Sequence, residues 1–308
     1  MTAPRAHGRL RVPPAVMRLA MRQIGRRCLD PALPWQVQRK RLDQATKTSA
    51  LPRGTTVTED AVAGVRTEAV TAPAAGQRPT VIHFHGGGYC VGSAAIARSW
   101  AAHLSAQTGC RVVLPEYRLA PEHPHPAALA DAEAVITALT GDAEPGSVVV
   151  SGDSAGGGLA LALVLSMRDR GQPLPAGCIL LSPWLDLGRD RRASPDLVRR
   201  DVVLSPGWLE ACARAYADPS SWADPSVSPL CAAHGGLPPL LVQAGTDELP
   251  ATDAELLVAS AAAAGVAVTY TRWPGMWHEF ALQPGLVAAA DSALAQAAWF
   301  VGTVTTST

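Results

Sequence analysis

The stretch SVVVSGDSAGGG, residues 147–158, decides how the rest of the chain is read. Val148, Val149 and Val150 form a β-branched run suited to a buried parallel strand. The run enters Gly152-Asp153-Ser154-Ala155-Gly156, and residues 159–168 then read as an apolar helix. Strand, tight Gly-x-Ser-x-Gly turn and helix describe a nucleophile elbow, in which Gly152 and Gly156 let the backbones close up and Ser154 stands at the sheet's rim. The helix start also points backbone N–H groups at that spot, where an oxyanion would be stabilised.

Around the elbow the chain alternates strand, loop and helix. Strands are predicted at 81–85, 111–115, 178–181, 240–244 and 266–271, and helices at 94–107, 127–139, 251–264 and 286–300. Residues 55–62 and 65–70 read as an antiparallel pair joined at Gly64. The pattern gives an α/β fold with a mostly parallel sheet covered on both faces. Met17, Met21, Ile24 and Cys28 recur at helical spacing with Arg18, Arg22 and Arg26 turned away. A lid helix on the main domain is the preferred reading, with a membrane surface as the alternative. Residues 189–222 lack a strand and form a helical insertion that meets the N-terminal helices over the sheet's carboxyl edge, where ligands bind in open α/β sheets. The expected divisions are cap helices in 1–50, core in 51–188, cap insertion in 189–222 and core again in 223–308.

A serine hydroxyl needs a histidine to take its proton and a carboxylate to fix that ring. Of the eight histidines, His278 in GMWHEF (275–280) lies between the last strand and last helix, in the chain order serine, acid, histidine. His7 lies in the N-terminal stretch, His83 in a strand and His103 in a helix. His123, His125 and His234 occupy proline- or glycine-rich loops. Asp247 leaves the 240–244 strand directly and is the expected acid. Glu248 is expected to point the other way, Asp253 to sit near a helix N-terminus, and Asp186 is the rival. His85-Gly86-Gly87-Gly88 follows a strand and offers bare amides, so Gly87, Gly88 and Ala155 are the expected oxyanion donors.

Several separated motifs fall in one order: HGGG at 85–88, YRLAPE at 117–122, GDSAG at 152–156, DP at 224–225 with SP at 228–229, Asp247, and GMWHEF at 275–280. In these the chain resembles the hormone-sensitive lipase family of α/β-hydrolases, in its bacterial esterase branch. His125 and Glu116 depart from the family's usual apolar residue and aspartate. The resemblance implies an eight-stranded sheet with a helical cap, and hydrolysis of short- to medium-chain acyl esters. It also implies no metal or cofactor, and allows for a homodimer. An amidase or lactonase on the same residues, and a receptor-like binding module, are the alternatives.

The 308 residues balance 26 Lys+Arg against 26 Asp+Glu, which gives no electrostatic footprint for nucleic acid. The six cysteines are widely spaced without a Cys-x-x-Cys pair, as suits free thiols in a reducing compartment. The arginine-rich start is followed at Cys28-Leu29-Asp30-Pro31 by no apolar region, so the expected location is cytoplasmic, without stable membrane association.

Overall fold

The computed structural model describes residues 11–46, 51–73, 79–141 and 146–305. Residues 1–10 and 47–50 of the N-terminal division, His7 among them, lie outside these residues. The strands are β1 Thr56–Val62, β2 Val65–Thr71, β3 Thr80–Phe84, β4 Arg111–Pro115, β5 Val148–Asp153, β6 Gly177–Leu181, β7 Leu240–Gly245 and β8 Val268–Trp273. They form one sheet in the order β1-β2-β4-β3-β5-β6-β7-β8. The β1–β2 and β2–β4 pairs are antiparallel and all later pairs parallel. Every residue of β5, β6 and β7 is buried, which is why these strands read as apolar runs rather than alternating ones.

Helices α3 Arg98–Thr108 and α9 Ala288–Thr305 pack on each other, as do α4 Ala127–Thr140 and α5 Ala155–Asp169. Helix α8 Ala251–Ala263 lies against β7 and β8. The predicted helix over 94–107 divides into a 3-10 turn, Ala94–Ile96, and α3. At the division the Glu116 carboxylate accepts from Ala94 N–H at 3.0 Å, and Arg98 pairs with Glu68 of β2. The last strand begins two residues later than its sequence pattern suggests.

Among the described residues, α1 Pro14–Cys28, α2 Trp35–Thr46, α6 Pro195–Arg200 and α7 Pro206–Tyr216 lie beyond the sheet's carboxyl edge. They are joined by specific contacts. The Trp208 indole N–H donates to the fully buried Gln38 Oε1 at 2.8 Å, linking α7 to α2. A Cβ at Gly25 would strike the Val203 carbonyl, so α1 rests backbone to backbone on the α6–α7 link. Arg39 donates to the Cys90 and Ala120 carbonyls, both at 2.8 Å, and pairs with Glu122, tying α2 to the core. Of the tryptophans, Trp208 lines the pocket described below, Trp184 is buried, and Trp35 and Trp222 are partly buried.

Two glycines set the elbow's shape. A Cβ at Gly152 would meet the Gly156 carbonyl, and one at Gly156 would meet the carbonyls of Phe84 and His85. Gly156→Ala therefore forces β3 away from α5. Overpacking of this kind costs about 1–3 kcal/mol, read as a lower urea midpoint at unchanged slope; an unshifted midpoint contradicts the packing described.

Candidate active site

The parallel strands end at one rim, so the loops after β3, β5, β7 and β8 are brought together although they are remote in sequence. Ser154 sits between β5 and α5 with φ 50°, a left-handed conformation disfavoured for a residue with a Cβ. It is held there by Ser154 N–H donating to Leu181 O and by Trp184 N–H donating to Ser154 O, both at 2.9 Å. Strain at a serine fixed on both sides is a feature of functional turns.

His278 Nε2 lies 2.9 Å from Ser154 Oγ, and its Nδ1 lies 2.7 Å from Glu248 Oε2. The second Glu248 oxygen accepts from Gly245 N–H at 2.7 Å. All three side chains are almost wholly buried. The structure thus brings Ser154 and His278 together as their sequence positions suggest.

The acid is different. Asp247 does not meet His278; its carboxylate lies 3.0 Å from Arg18 and 3.3 Å from Arg200, on the outer side of the loop. Glu248 points inward instead, reversing the expected directions of these neighbours. The reason is local: Asp247 N–H is tied to Met276 O at 3.0 Å, and the two guanidiniums hold its carboxylate toward α1 and α6. Asp186 accepts from Gly188 N–H at 3.0 Å and pairs with Arg189. Asp253 accepts from Leu185 and Asp186 N–H and pairs with Arg191 at 2.7 Å, a buried brace between loops rather than a cap on its own helix.

Sequence reasoning also missed Asp201, just after α6. It accepts from Val203, Leu204 and Leu249 N–H at 2.8–2.9 Å, fastening the insertion beside Glu248. Burial pushes its carboxyl up to about 6. Nothing in a lone aspartate within a charged segment marks this role.

Burial alone would lower the His278 pKa. The hydrogen bond that His278 Nδ1–H donates to Glu248 and the charges of Glu279, Glu248 and Asp201 outweigh it and raise the value to about 9. His83 is the opposite case, driven down to about 3 by burial. It bridges Ser151 Oγ at 2.9 Å and Asp153 Oδ1 at 2.8 Å.

Gly87 lines the pocket with Ser154, and the Gly87 and Gly88 amides have no acceptor among the described residues. Ala155 opens α5, where the first-turn amides have no intrahelical partner. The loop is braced from outside. Tyr117 O–H donates to the His85 carbonyl at 2.7 Å, and the His85 ring stacks on Tyr117 with centroids 4.4 Å apart. His125 packs edge-on against Tyr216. His103 and His234 are engaged with Ser99 and with Ser260 and Pro229 respectively.

Above Ser154 lies a cavity of about 290 Å³. Met17, Met21 and Ile24 of α1, Leu42 of α2, and Val203, Leu204 and Trp208 of the insertion supply most of its apolar wall. Among the described residues no group of three or more His, Cys, Asp or Glu is gathered as a metal site, and no helix is long and apolar enough to cross a membrane. The six cysteines are free thiols.

Comparison with known proteins agrees with this architecture. Residues 81–282 match a family model described as alpha/beta hydrolase fold. A putative acetyl-hydrolase, LipR, of Mycobacterium tuberculosis is 38% identical over 245 residues, covering 79% of each chain. An acetyl-hydrolase of Streptomyces hygroscopicus is 36% identical, covering 80% of this chain and 81% of its own. A solved hormone-sensitive lipase from a metagenome library superposes with TM-score 0.87 at 30% identity, over 96% of this chain and 99% of that one. The chain belongs to the α/β-hydrolase family, and within it to the hormone-sensitive lipase group of carboxylesterases.

The two neighbouring acids can be separated by mutation. Glu248→Gln should lower kcat by about three to four orders of magnitude, by analogy with loss of a triad carboxylate. Asp247→Asn removes only partly exposed ion pairs, worth about 0–1 kcal/mol, and should change kcat by less than about threefold. Esterase assays on the two purified variants check this, and the reverse ranking would restore Asp247.

Proposed function

We propose that this protein hydrolyses carboxylic esters bearing short- to medium-chain acyl groups, with Ser154 as nucleophile, His278 as base and Glu248 as the orienting acid. The observation that carries the reading is the continuous Glu248–His278–Ser154 hydrogen-bonded relay at the floor of an apolar cavity. Ser154 Oγ attacks the ester carbonyl as its proton passes to His278 Nε2. Glu248 keeps the other ring nitrogen protonated and stabilises the imidazolium. The Gly87, Gly88 and Ala155 amides receive the negative charge on the carbonyl oxygen. The tetrahedral intermediate then expels the alcohol, which takes its proton from Nε2, and water repeats the sequence to release the acid.

In this reading α1, α2 and residues 189–222 form the cap and set the length of the acyl site. Names of relatives that include acetyl-hydrolase and esterase support a small acyl substrate. The intact relay favours turnover over passive ligand holding. Each methylene seated against the apolar wall contributes about 0.8 kcal/mol, or roughly fourfold in kcat/KM. In a p-nitrophenyl ester series, kcat/KM should rise from acetate to hexanoate and fall by dodecanoate. Ser154→Ala should abolish turnover throughout the series; retained activity would remove Ser154 as the nucleophile.

The base acts only when neutral. With its pKa raised toward about 9, His278 is protonated at low pH and becomes competent as pH rises. The acid limb of kcat/KM should therefore lie above the ordinary histidine value near 6.5. A limb at or below 6.5 in a pH–rate profile would contradict the electrostatics of the site.

A further inference from the structure

Glu279, next to the proposed base, is not used by the mechanism above. Its Oε1 lies 3.7 Å from His278 Nε2, its side chain is 20% exposed, and it lines the cavity with Ser154 and Gly87. The backbone is held by Glu279 N–H donating to Ser182 Oγ at 3.2 Å, with φ 59°. Facing it is Asp153, wholly buried, whose Oδ1 is engaged by His83 and whose Oδ2 has no donor among the described residues. A Cβ built on Gly86 would strike both Asp153 Oδ2 and Glu279 Oε1, so the two carboxyls converge on the space beside the Gly86 backbone that a side chain would fill.

Among the described residues neither carboxyl has an arginine or lysine partner; their ion-pair neighbours are His83 and His278. Two carboxyls converging in a buried place share a proton rather than ionise together. Burial is the main cause that pushes Asp153 up to about 6 and Glu279 up to about 8. Asp153 raises Glu279 further, while the His278 charge opposes the rise and the Glu279 charge in turn supports the rise at His278; when His278 is neutral, as a base must be, Glu279 holds its proton more firmly.

We propose that Glu279 is the protonated member of this pair and that its O–H turns from Asp153 to donate a hydrogen bond to the alcohol oxygen of the ester as that oxygen departs. The proposal rests on the Ser154–His278 reading given above. The departing oxygen must come within reach of His278 Nε2 to take its proton, and Glu279 stands beside that same nitrogen. The C–O bond breaks, its electron pair stays on the alcohol oxygen, and the proton arriving there comes from Nε2. Glu279 keeps its own proton and supplies only a hydrogen bond. That bond matters most when the leaving alcohol is a poor one, and little for p-nitrophenolate. An ionised Glu279 would instead repel the developing alkoxide.

The charged and titratable groups around Glu279 are Asp153 at the end of β5, His83 on β3 and His278 on its own loop, with Glu248 and Asp201 behind His278. The test compares kcat/KM for butyl butyrate and p-nitrophenyl butyrate. These esters share an acyl group, so deacylation and the ionisation of His278 cancel in their ratio. Glu279→Leu should lower the butyl to p-nitrophenyl ratio about tenfold, the effect of one lost hydrogen bond to a charged group. Glu279→Gln retains an N–H donor and should keep the wild-type ratio. In the wild type the ratio should also fall as pH rises through the ionisation of the pair, and in Glu279→Gln it should stay flat. This second measurement decides the matter if the leucine variant does not fold. Equal losses on both esters, or a wild-type ratio independent of pH, would overturn the role of Glu279. Ser154→Ala run alongside separates the two readings: residual turnover there rejects the nucleophile, whereas its absence with an unchanged Glu279→Leu ratio rejects Glu279 alone.

Discussion

An imidazole held on one side by a carboxylate and on the other by a serine hydroxyl is the contact on which the architecture turns. His278 is buried, and burial alone would leave it neutral, as the depressed His83 illustrates. Glu248 reverses that tendency from 2.7 Å and is itself fixed by the Gly245 amide and, through Leu249, by Asp201. Each contact depends on parallel strands ending at one rim. The β7 and β8 ends bring the acid and the histidine together, and the β5 end presents the serine to both.

The cap is coupled to the same point. Asp201 belongs to the insertion yet orders the residue after Glu248, and Asp247 holds Arg18 of α1 and Arg200 of α6. Neighbouring acids on one loop thus serve two purposes, with Glu248 turned in to the relay and Asp247 turned out to the roof. The apolar wall is contributed mostly by α1, α2 and the insertion, so the walls of the cavity are attached beside the carboxylate that holds His278.

Much of this was legible in the sequence because it rests on patterns with a local cause. Three valines, two close-packing glycines and an apolar helix define the elbow at Ser154, and a loop following the last strand defines His278. The glycine loop after β3 was also readable. The acid was not. Asp247 and Glu248 are adjacent, both follow β7, and their directions are chosen by Arg18, Arg200 and Met276, which are remote in the chain. Asp201 and the Asp153–Glu279 approach were hidden for the same reason: each depends on contacts between loops that no spacing reveals.

The hydrogen-bonded proton on His278 Nδ1 is the most direct probe of the account. One-dimensional proton NMR of the resting protein should show a far-downfield resonance that persists in Asp247→Asn and disappears in Glu248→Gln. A resonance that survives loss of Glu248 and vanishes with Asp247 would show that the relay is built on the other acid.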